Sequence, residues 1–252
     1  MKLLRETIRR IIRESLFFNT PWIKDLALFE YNHPQSVTSA KIYMLFHPEL
    51  INEIIDGGSF IPELAKSRHI KGMIKTSAHN LEDEDSPCRG AWQIKLAGAQ
   101  PNWGPTMYDI VMGDSPDGII ADRSSVSPEA YNVWKFYHAN RTDVQKKPLD
   151  YNNVKWTAFE EDDCGWGDDG DTFFNLNPKL QNYDLGYDEN PNIDHDVFLS
   201  DPLNWVYNRE KVPNRDLLTN NFETARAKLE NSDRLWVEKM WPKLAVAFFN
   251  QL

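Results

Sequence analysis

The feature that most limits the fold is a run of alternating and apolar segments between Ala91 and Tyr137. Ala91–Ala97 alternates apolar and polar residues, which is the period-two pattern of a half-buried strand. The apolar block Met107–Met112 predicts a short buried helix, and Gly118–Ala121 predicts a second short strand. The sequence therefore predicts the order strand, glycine turn, helix, strand and helix.

Two prolines mark where the helices of this stretch begin. Pro105 suits the first helical position, where its missing N–H group removes no bond. Ser127 and Pro128 form an N-cap and first-turn pair ahead of Trp134 and Tyr137. The second helix is therefore expected to begin at Pro128.

The loop 98–106 joins the first strand to the first helix and contains two glycines. The first N–H groups of a helix lack acceptors within it, and the helix dipole favours negative charge there. Such a loop is typical of a site for an anion such as a pyrophosphate. An ordinary β–α turn has the same features, and it is the favoured interpretation on this local feature alone.

The order of elements and the loop resemble the central segment of the GNAT superfamily of N-acetyltransferases. In that family a strand, a Q/R-x-x-G-x-G/A loop, a helix, a strand and a helix bind the pantetheine and pyrophosphate of acetyl-CoA. If Gly104 takes the last glycine position, Asn102 stands at the middle glycine and Ala99 at the Gln or Arg. The resemblance implies a GNAT-like sheet and acetyl-CoA binding by Asn102, Trp103, Gly104, Pro105 and Thr106.

The same resemblance implies where an acyl transfer would be catalysed. GNAT enzymes often place a tyrosine four residues after an alanine in the last helix, as general acid for the leaving thiolate. Counting from Ala130 gives Trp134, with a tyrosine on either side along the helix. We therefore expect Tyr137 or Tyr131 to be the acid, and Asp122 to be the base that deprotonates an amine through water.

Three blocks of the chain are similar to uncharacterised proteins of tailed phages, many of them from marine hosts. The blocks are a Leu/Ile/Arg leader helix, a W-G-P-x-x-Y-D-I segment and a D-R-x-x-V-S-P-x-A-x-x-V-W segment, at Leu3–Glu14, Trp103–Ile110 and Asp122–Trp134. The resemblance implies a phage origin. It also implies an alternative function, a virion or capsid-associated structural protein with a GNAT-like fold and no catalytic activity.

Residues Met1–Leu16 predict a basic amphipathic helix. One stripe of this helix is apolar: Leu4, Ile8, Ile11 and Ile12. The segment has five basic and two acidic residues, whereas the whole chain has 28 and 38. Such a helix docks on the acidic body of its own protein, binds a partner or membrane surface, or acts as a targeting leader. Ile12–Ser15 is similar to the I/L-x-E site of phage prohead proteases, which implies cleavage after Glu14 and phage structural proteins as partners.

Composition excludes several classes of protein. Of the 252 residues, 41% are hydrophobic and 9 are tryptophan, so a folded core is expected. The formal net charge of -10 disfavours nonspecific binding of nucleic acid. No apolar run approaches the length of a membrane span, and Cys88 and Cys164 do not make a disulfide framework. We expect a reduced setting, in the host cytoplasm or in a phage virion.

Local patterns predict the other elements of the core. Trp22–Tyr31 predicts a short helix, Lys41–Phe46 a strand, and Pro48–Ile55 a helix that ends before two glycines. His69–Thr76 and Tyr151–Phe159 predict further strands. These segments supply the rest of the sheet and its flanking helices.

The C-terminal part of the chain is predicted to be an extension. Glu160–Asp171 is a dense carboxylate loop without the EF-hand spacing, so a solvated acidic turn is favoured over a calcium site. Thr172–Asn204 predicts a long irregular wrap that aromatic side chains attach to the core. Asn221–Asn250 predicts helices, with a kink or restart at Pro242.

The sequence indicates no other chemistry. The six histidines show no H-x-x-x-H or H-E-x-x-H spacing and neither cysteine has a partner at zinc-ligand spacing, so no metal site is predicted. No G-x-S-x-G nucleophile elbow is present. Cys88 is predicted to be a buried structural thiol.

The predicted fold is an α/β (α+β) protein with a GNAT-like mixed sheet flanked by helices. Its predicted parts are a basic leader helix over 1–18, a core domain over 19–160, and an acidic and aromatic extension over 161–252 that ends in helices packed on the core. The predicted function is a phage-encoded acyltransferase that binds acetyl-CoA at the 98–106 loop. The virion or capsid-associated protein is the alternative.

Overall fold

The structure is a computed structural model that describes residues 21–32, 41–56, 61–78, 90–121, 126–151, 164–166, 200–209 and 215–251. The predicted leader helix lies outside these residues, as do most of the acidic loop and most of the irregular wrap. Asp122 and Cys88 lie outside them as well.

The described residues form eight strands, six α-helices and two short 3-10 helices. The strands are β1 Ala27–Asn32, β2 Lys41–Phe46, β3 Ile70–Ala78, β4 Trp92–Ala99, β5 Ile119–Ala121, β6 Gln145–Tyr151, β7 Cys164–Trp166 and β8 Trp205–Asn208. The α-helices are α1 Glu49–Asp56, α2 Ile61–Leu64, α3 Gly104–Met112, α4 Pro128–Asn140, α5 Arg215–Ala227 and α6 Asn231–Phe249. The 3-10 helices, Pro21–Asp25 and Pro202–Asn204, precede β1 and β8.

Seven strands form one mixed sheet in the order β1-β2-β3-β4-β5-β8-β6, and β7 extends it beside the end of β6. Strands β1 to β4 are antiparallel neighbours. Strands β4 and β5 are parallel, and β8 runs antiparallel to both β5 and β6. The prediction of a mixed sheet flanked by helices is confirmed.

Helices cover both faces of the sheet, and the side chains of β2 show why. Tyr43 and Leu45 pack in one hydrophobic cluster with residues of α3 and α4. Met44 and Phe46 pack in a second cluster with residues of α1 and α6. Successive side chains of a strand point to opposite faces, so a strand covered on both faces is apolar throughout. The run KIYMLF of β2 has this pattern.

The first strand corrects one expectation from the sequence. The helix predicted over Trp22–Tyr31 is wrong, because the chain forms the 3-10 helix Pro21–Asp25 and then strand β1. β1 pairs with β2 along its whole length. Phe29 of β1 stacks on Trp241 of α6, with ring centroids 5.0 Å apart. Pairing and packing with distant segments outweigh the local propensity here.

Strand β6 begins earlier in the chain than the sequence predicts. It spans Gln145–Tyr151, whereas the prediction places a strand over Tyr151–Phe159, whose later residues are not described. The first residues of β6 pair with β8. Because β8 comes from far along the chain, local pattern gives no sign of this pairing.

The C-terminal helical segment breaks before α6 and not at Pro242. Helix α6 continues through that proline, although a proline inside a helix removes a hydrogen bond and costs about 3 kcal/mol. Trp241 and Leu244, on either side of it, are fully buried. Their burial against the sheet offsets the cost, at about 2 kcal/mol for each large apolar side chain.

Strand β8 lies in the part of the chain that the sequence assigns to the extension over 161–252. It sits inside the sheet between β5 and β6, and Tyr207 of β8 is fully buried. The sheet therefore takes an internal strand from beyond the predicted core over 19–160.

In the part of the chain that the structure describes, no helix is long and apolar enough to cross a membrane.

Candidate functional site

The loop that follows β4 is fixed by backbone hydrogen bonds. Gln100 N donates to Lys71 O at 2.9 Å, and Trp103 N donates to Gln100 O at 3.0 Å. Asn102 has a φ of 73°, in the left-handed region that glycine and asparagine adopt most readily. The loop therefore turns the chain from β4 into α3 in a defined conformation.

The five residues predicted to bind a cofactor lie together at the start of α3: Asn102, Trp103, Gly104, Pro105 and Thr106. Asn102 is exposed, whereas the side chains of Trp103 and Thr106 are buried. Met107 N donates to Trp103 O at 3.1 Å. Since Pro105 has no N–H group, the N–H groups that the helix start directs out of the helix belong to Gly104 and Thr106.

The hydroxyl of Thr106 adds a second polar group at this helix start. Its Oγ1 is buried and has no hydrogen-bond partner among the residues that are described. Buried polar atoms of native proteins nearly always have a partner, protein or ligand or water. The start of α3 thus combines backbone hydrogen-bond donors with a side-chain hydroxyl that can still form a hydrogen bond.

Strand β4 carries one extra residue where it passes β3. Ile94 lies opposite Thr76, whereas Leu96 lies opposite Lys75, the preceding residue of β3. A bulge of this kind turns backbone groups of the longer strand out of the regular ladder. Among the described residues, β5 pairs with Trp92–Ile94 of β4 and no further. The bulge therefore begins where the pairing of β4 with β5 ends.

Helix α4 begins as the sequence predicts. Ser127 Oγ accepts a hydrogen bond from Ala130 N at 3.2 Å, and Pro128 is the first helical residue. Trp134, at the position where the family resemblance places a tyrosine, is 1% exposed. Its ring packs edge-on against Tyr108 of α3, with centroids 5.0 Å apart. Trp134 therefore belongs to the core between the two helices.

The two tyrosines predicted as general acid occupy different surroundings. Tyr137 is fully buried, and its hydroxyl lies 2.7 Å from Pro105 O and 2.6 Å from Asp109 Oδ1. Tyr131 is 37% exposed on the same helix. Burial raises the pKa of Tyr131, and Asp201 raises it further. The structure brings Tyr137 to the start of α3, where the predicted cofactor residues lie.

A buried charge network lies beneath the start of α3. The carboxylate of Asp109 accepts from Arg141 Nη1 at 3.1 and 3.2 Å, and from Arg209 Nη1 at 3.4 Å. Arg141 also donates to Asp143 at 2.6 and 2.8 Å. Arg209 pairs with Asp143 at 3.1 Å. Two carboxylates thus balance two guanidinium groups, which ties α3 to the end of α4 and to the end of β8.

Burial sets the protonation of the groups at the centre of this network. It raises the pKa of the Asp109 carboxyl, against the opposing effects of Arg141 and of the Tyr137 hydroxyl. Burial and the charge of Asp109 raise the pKa of Tyr137 well above its ordinary value. A phenol has a single proton, so it cannot donate fully to both Pro105 O and Asp109 at once. Tyr137 is therefore a poor proton donor to any group outside the network.

A second charged cluster joins the other end of α3 to β1, β2 and α5. Asp114 accepts hydrogen bonds from Lys41 and Tyr43. Arg215 donates to Asp114 and, at 2.7 Å, to Glu30. Lys41 pairs with Glu30 at 2.9 Å. Burial opposes ionisation of Asp114, but the hydrogen bonds from Lys41 and Tyr43 outweigh it and hold the pKa of this carboxyl below its ordinary value.

A third polar cluster lies between β2 and β3. His47, Glu49 and His69 place their ligand atoms within 4.8 Å of one another. The sequence predicts no metal site, because no two histidines have the spacing of metal ligands along one segment. His47 and His69 instead lie at adjacent ends of neighbouring strands, so only the pairing of those strands brings them together.

Sequence reasoning also misses the buried charge network. The one local signal is Asp109, a lone carboxylate inside the apolar helix GPTMYDIVM. A buried carboxylate in such a helix demands cationic or hydrogen-bonding partners. The partners come from α4, from the residue that follows it and from the residue that follows β8, so nothing in the local pattern identifies Arg141 or Arg209 as those partners.

Comparisons with known proteins give no relative of this chain. No protein-family model matches it. No curated protein and no solved structure matches it at a significant level. A functional conclusion therefore depends on the geometry of the site.

Proposed function

We propose that this protein is a GNAT-like acyltransferase of phage origin that binds acetyl-CoA at the 98–106 loop. The observation that carries the proposal is the unit β4–loop–α3–β5, in which two parallel strands are joined through a helix that begins at the carboxyl end of β4. Ligands of α/β sheets bind at the carboxyl ends of parallel strands, beside helix N-termini. Helix α4 then completes the order of the acetyl-CoA-binding segment in GNAT enzymes.

The start of α3 would hold the pyrophosphate. The N–H groups of Gly104 and Thr106 point out of the helix, and Thr106 Oγ1 has bonding capacity left. Asn102 stands at the middle glycine of the GNAT loop, and its φ of 73° is a conformation that glycine adopts readily. The departure from the motif at Asn102 is therefore compatible with the backbone path that the motif requires.

The bulge in β4 would receive the thioester. This bulge, between Ile94 and Leu96, begins where the pairing of β4 with β5 ends, so an extended acyl-pantetheine chain would lie along β4 beyond that point. Leu96 is 42% exposed, and its side chain offers apolar surface to a pantetheine chain.

The transfer requires one proton donor and one proton acceptor. The acceptor amine bonds to the thioester carbonyl carbon, the C–S bond breaks, and the thiolate takes a proton. Tyr131 supplies that proton in our proposal, because the hydroxyl of Tyr137 is buried against Asp109. Asp122, which follows β5, takes the amine proton through water.

Calorimetry with acetyl-CoA tests the binding step. We expect wild-type protein to bind with a dissociation constant on the order of micromolar, in the range usual for enzyme substrates. Gly104→Trp should abolish this binding by filling the space beside the loop backbone. Gly104→Ala is the control for folding, since its Cβ would lie 3.4 Å from Val133 Cγ2, an ordinary contact. Absence of binding at millimolar acetyl-CoA would rule the proposal out.

The two tyrosines can be separated by removing their hydroxyl groups. Tyr131→Phe should lower the rate of acetyl transfer by about 100-fold or more and leave the free energy of unfolding unchanged. Tyr137→Phe should lower the free energy of unfolding by about 1 kcal/mol, because it removes a buried hydrogen bond. A rate loss confined to Tyr137→Phe would reverse the assignment of the acid.

The second candidate is a virion or capsid-associated structural protein that keeps this fold without activity. It is favoured by the burial of Trp134 at the family's tyrosine position and by the burial of Tyr137. This candidate predicts no acetyl-CoA binding and the presence of the protein in purified virions. Its predicted targeting helix over 1–18 lies outside the described residues.

A further inference from the structure

The backbone places His47 and His69 side by side. His47 follows β2, and His69 precedes β3, the antiparallel neighbour of β2. His47 N donates to His69 O at 2.8 Å, which fixes the two residues across the strand ends. Their ring centroids are 5.6 Å apart. Two imidazoles are thus presented together by two paired strands and not by mobile loops.

Glu49, the first residue of α1, adds a carboxylate between the two rings. Its Oε2 lies 3.5 Å from His69 Nδ1 and 3.7 Å from His47 Nδ1. Two ligands on a tetrahedral Zn²⁺, with bonds of about 2.0–2.1 Å, are separated by about 3.3 Å. The two separations from Glu49 are thus close to this value, and the two histidine ligand atoms lie within 4.8 Å of each other and would approach further on binding an ion.

The lone pairs of the two rings are compatible with this role. Glu49 N donates to His47 Nδ1 at 3.4 Å, so this nitrogen carries no proton, and an ion bound there would replace this long hydrogen bond. Arg68 Nε donates to His69 Nε2 at 3.4 Å, and Glu53 Oε1 lies 3.4 Å from the same nitrogen. An ion at Nδ1 requires the other tautomer, in which Nε2 carries the proton and donates it to Glu53 in place of the long bond from Arg68.

Outer groups hold His69 in that orientation. Glu53 Oε2 accepts a hydrogen bond from Ser67 Oγ at 2.5 Å, and Ser67 Oγ accepts from His69 N at 3.1 Å. A carboxylate bound to the far nitrogen of a histidine fixes its tautomer and increases its basicity in metal sites. His69 is 11% exposed and Glu53 40% exposed, so the orienting contact is partly shielded from water.

The cluster borders an acidic cleft of about 660 Å³. Four carboxylates line this cleft: Glu49, Glu53, Asp56 and Glu63. They give it a negative field that attracts cations. Imidazole ligands favour zinc, copper, iron and nickel, whereas magnesium and calcium favour oxygen ligands alone.

We propose that His47, Glu49 and His69 form a binding site for Zn²⁺ or another divalent metal ion that favours imidazole ligands, with Glu53 positioning His69. The proposal rests on this cluster and is independent of acetyl-CoA binding at the start of α3. Three protein ligands leave a fourth position of a tetrahedral ion facing the cleft, for water or a substrate atom.

The test is titration of the full chain with Zn²⁺ alone, followed by Co²⁺ as a spectroscopic probe. We expect one site per chain, with a dissociation constant on the order of micromolar or below, and the intense visible absorption of tetrahedral Co²⁺. Loss of an orienting residue typically weakens a metal site about 10–100-fold, so Glu53→Gln should fall in that range. His69→Gln and Glu49→Gln should weaken it by at least about 100-fold, because each removes a ligand.

Two matched variants control for nonspecific effects. Glu63→Gln removes a carboxylate from the same cleft outside the ligand set, and His138→Gln removes a histidine of α4. Both should bind Zn²⁺ within about threefold of wild type, a difference smaller than any ligand loss. If His69→Gln does not fold, as judged by circular dichroism, His47→Gln replaces it, since His47 is 35% exposed.

Three results would overturn the proposal. They are no Zn²⁺ binding below millimolar concentration, binding that persists in His69→Gln or His47→Gln, and equal weakening by Glu63→Gln and Glu49→Gln. The last result would indicate attraction to the acidic cleft as a whole and not coordination.

Discussion

The hydroxyl of Tyr137 lies 2.6 Å from Asp109 Oδ1, and both side chains are excluded from solvent. This contact joins α4 to α3 at the centre of the buried charge network. The same hydroxyl reaches Pro105 O in the first turn of α3. The network therefore supports the helix start whose N–H groups the proposed function uses, and Tyr137 acts through packing and hydrogen bonding.

Removing Asp109 should destabilise the protein strongly. Asp109→Ala leaves Arg141 and Arg209 without their buried acceptor, and breaking a buried ion pair costs about 3–5 kcal/mol. The measurement is urea unfolding at pH 7. Asp143→Ala is the matched control, because Asp143 pairs with the same arginines but its side chain is 47% exposed, and it should cost about 1 kcal/mol. Equal losses in the two variants would mean that burial does not govern the network.

Asp114 should contribute stability that depends on pH. Its pKa is held below the value of an aspartate in the unfolded chain, so its contribution is fully present above the unfolded pKa and is lost as pH falls through the folded pKa. The difference in unfolding free energy between wild type and Asp114→Asn should therefore shrink between pH 5 and pH 2. Each tenfold difference between the acid dissociation constants of the folded and unfolded states contributes about 1.4 kcal/mol to this change.

The control for this titration is Asp216→Asn, which removes a carboxylate from an exposed position at the start of α5. Its difference from wild type should vary little over the same range. Parallel curves for the two variants would show that net charge, and not the contacts of Asp114, sets the acid sensitivity.

Gly118 should tolerate no side chain. Its φ is +97°, and a Cβ there would lie 2.4 Å from Tyr207 O in the neighbouring strand β8. Gly118→Ala combines backbone strain of about 1–3 kcal/mol with displacement of β8, so we expect a loss above about 2 kcal/mol in denaturant unfolding. Gly104→Ala is the matched substitution at an open position and should change stability by about 1 kcal/mol or less. Similar midpoints for both alanine variants would contradict the close approach of β5 and β8.

Asn102 should be replaceable by glycine but not by valine. Its left-handed φ of 73° costs an ordinary residue about 1–2 kcal/mol, and more for a β-branched one. Asn102 is exposed, so Asn102→Val loses no buried contact and its effect reports on the backbone. Thermal unfolding should place Asn102→Gly near wild type and Asn102→Val clearly below it. The reverse order would mean that the turn does not have this conformation.

Local sequence patterns predict the central unit because each signal there acts within a few residues. Ser127 caps α4 through a hydrogen bond to a residue of its own first turn, so its hydroxyl and the following proline identify the helix start. The strands β2, β3, β4 and β5 and the helices α1 and α3 follow from apolar periodicity in the same way. Local pattern misplaces β1, because the segment before Asn32 becomes a strand by pairing with β2 and packing on α6.

The candidate sites differ in the same way, because one is formed by neighbouring residues of the chain and the others by distant segments. The loop 98–106 and its glycine, asparagine and proline positions can be located from the sequence, since the chain's own turn and helix start create the site. The polar clusters cannot, because Asp109 meets Arg141 and Arg209, and His47 meets His69, only when distant segments pack together.

The sequence by itself determined the order of elements from β4 to α4, a helix start next to Pro105 and another at Pro128, and a core too apolar to stay unfolded. The tertiary structure alone decided that β8 lies inside the sheet, that Tyr137 is buried, and that two histidines and a glutamate face one another. The physical reason is the distance along the chain over which each interaction acts. Capping, turn geometry and periodicity act over a few residues, whereas ion pairs, burial and strand partners depend on distances in space that the order of residues does not specify.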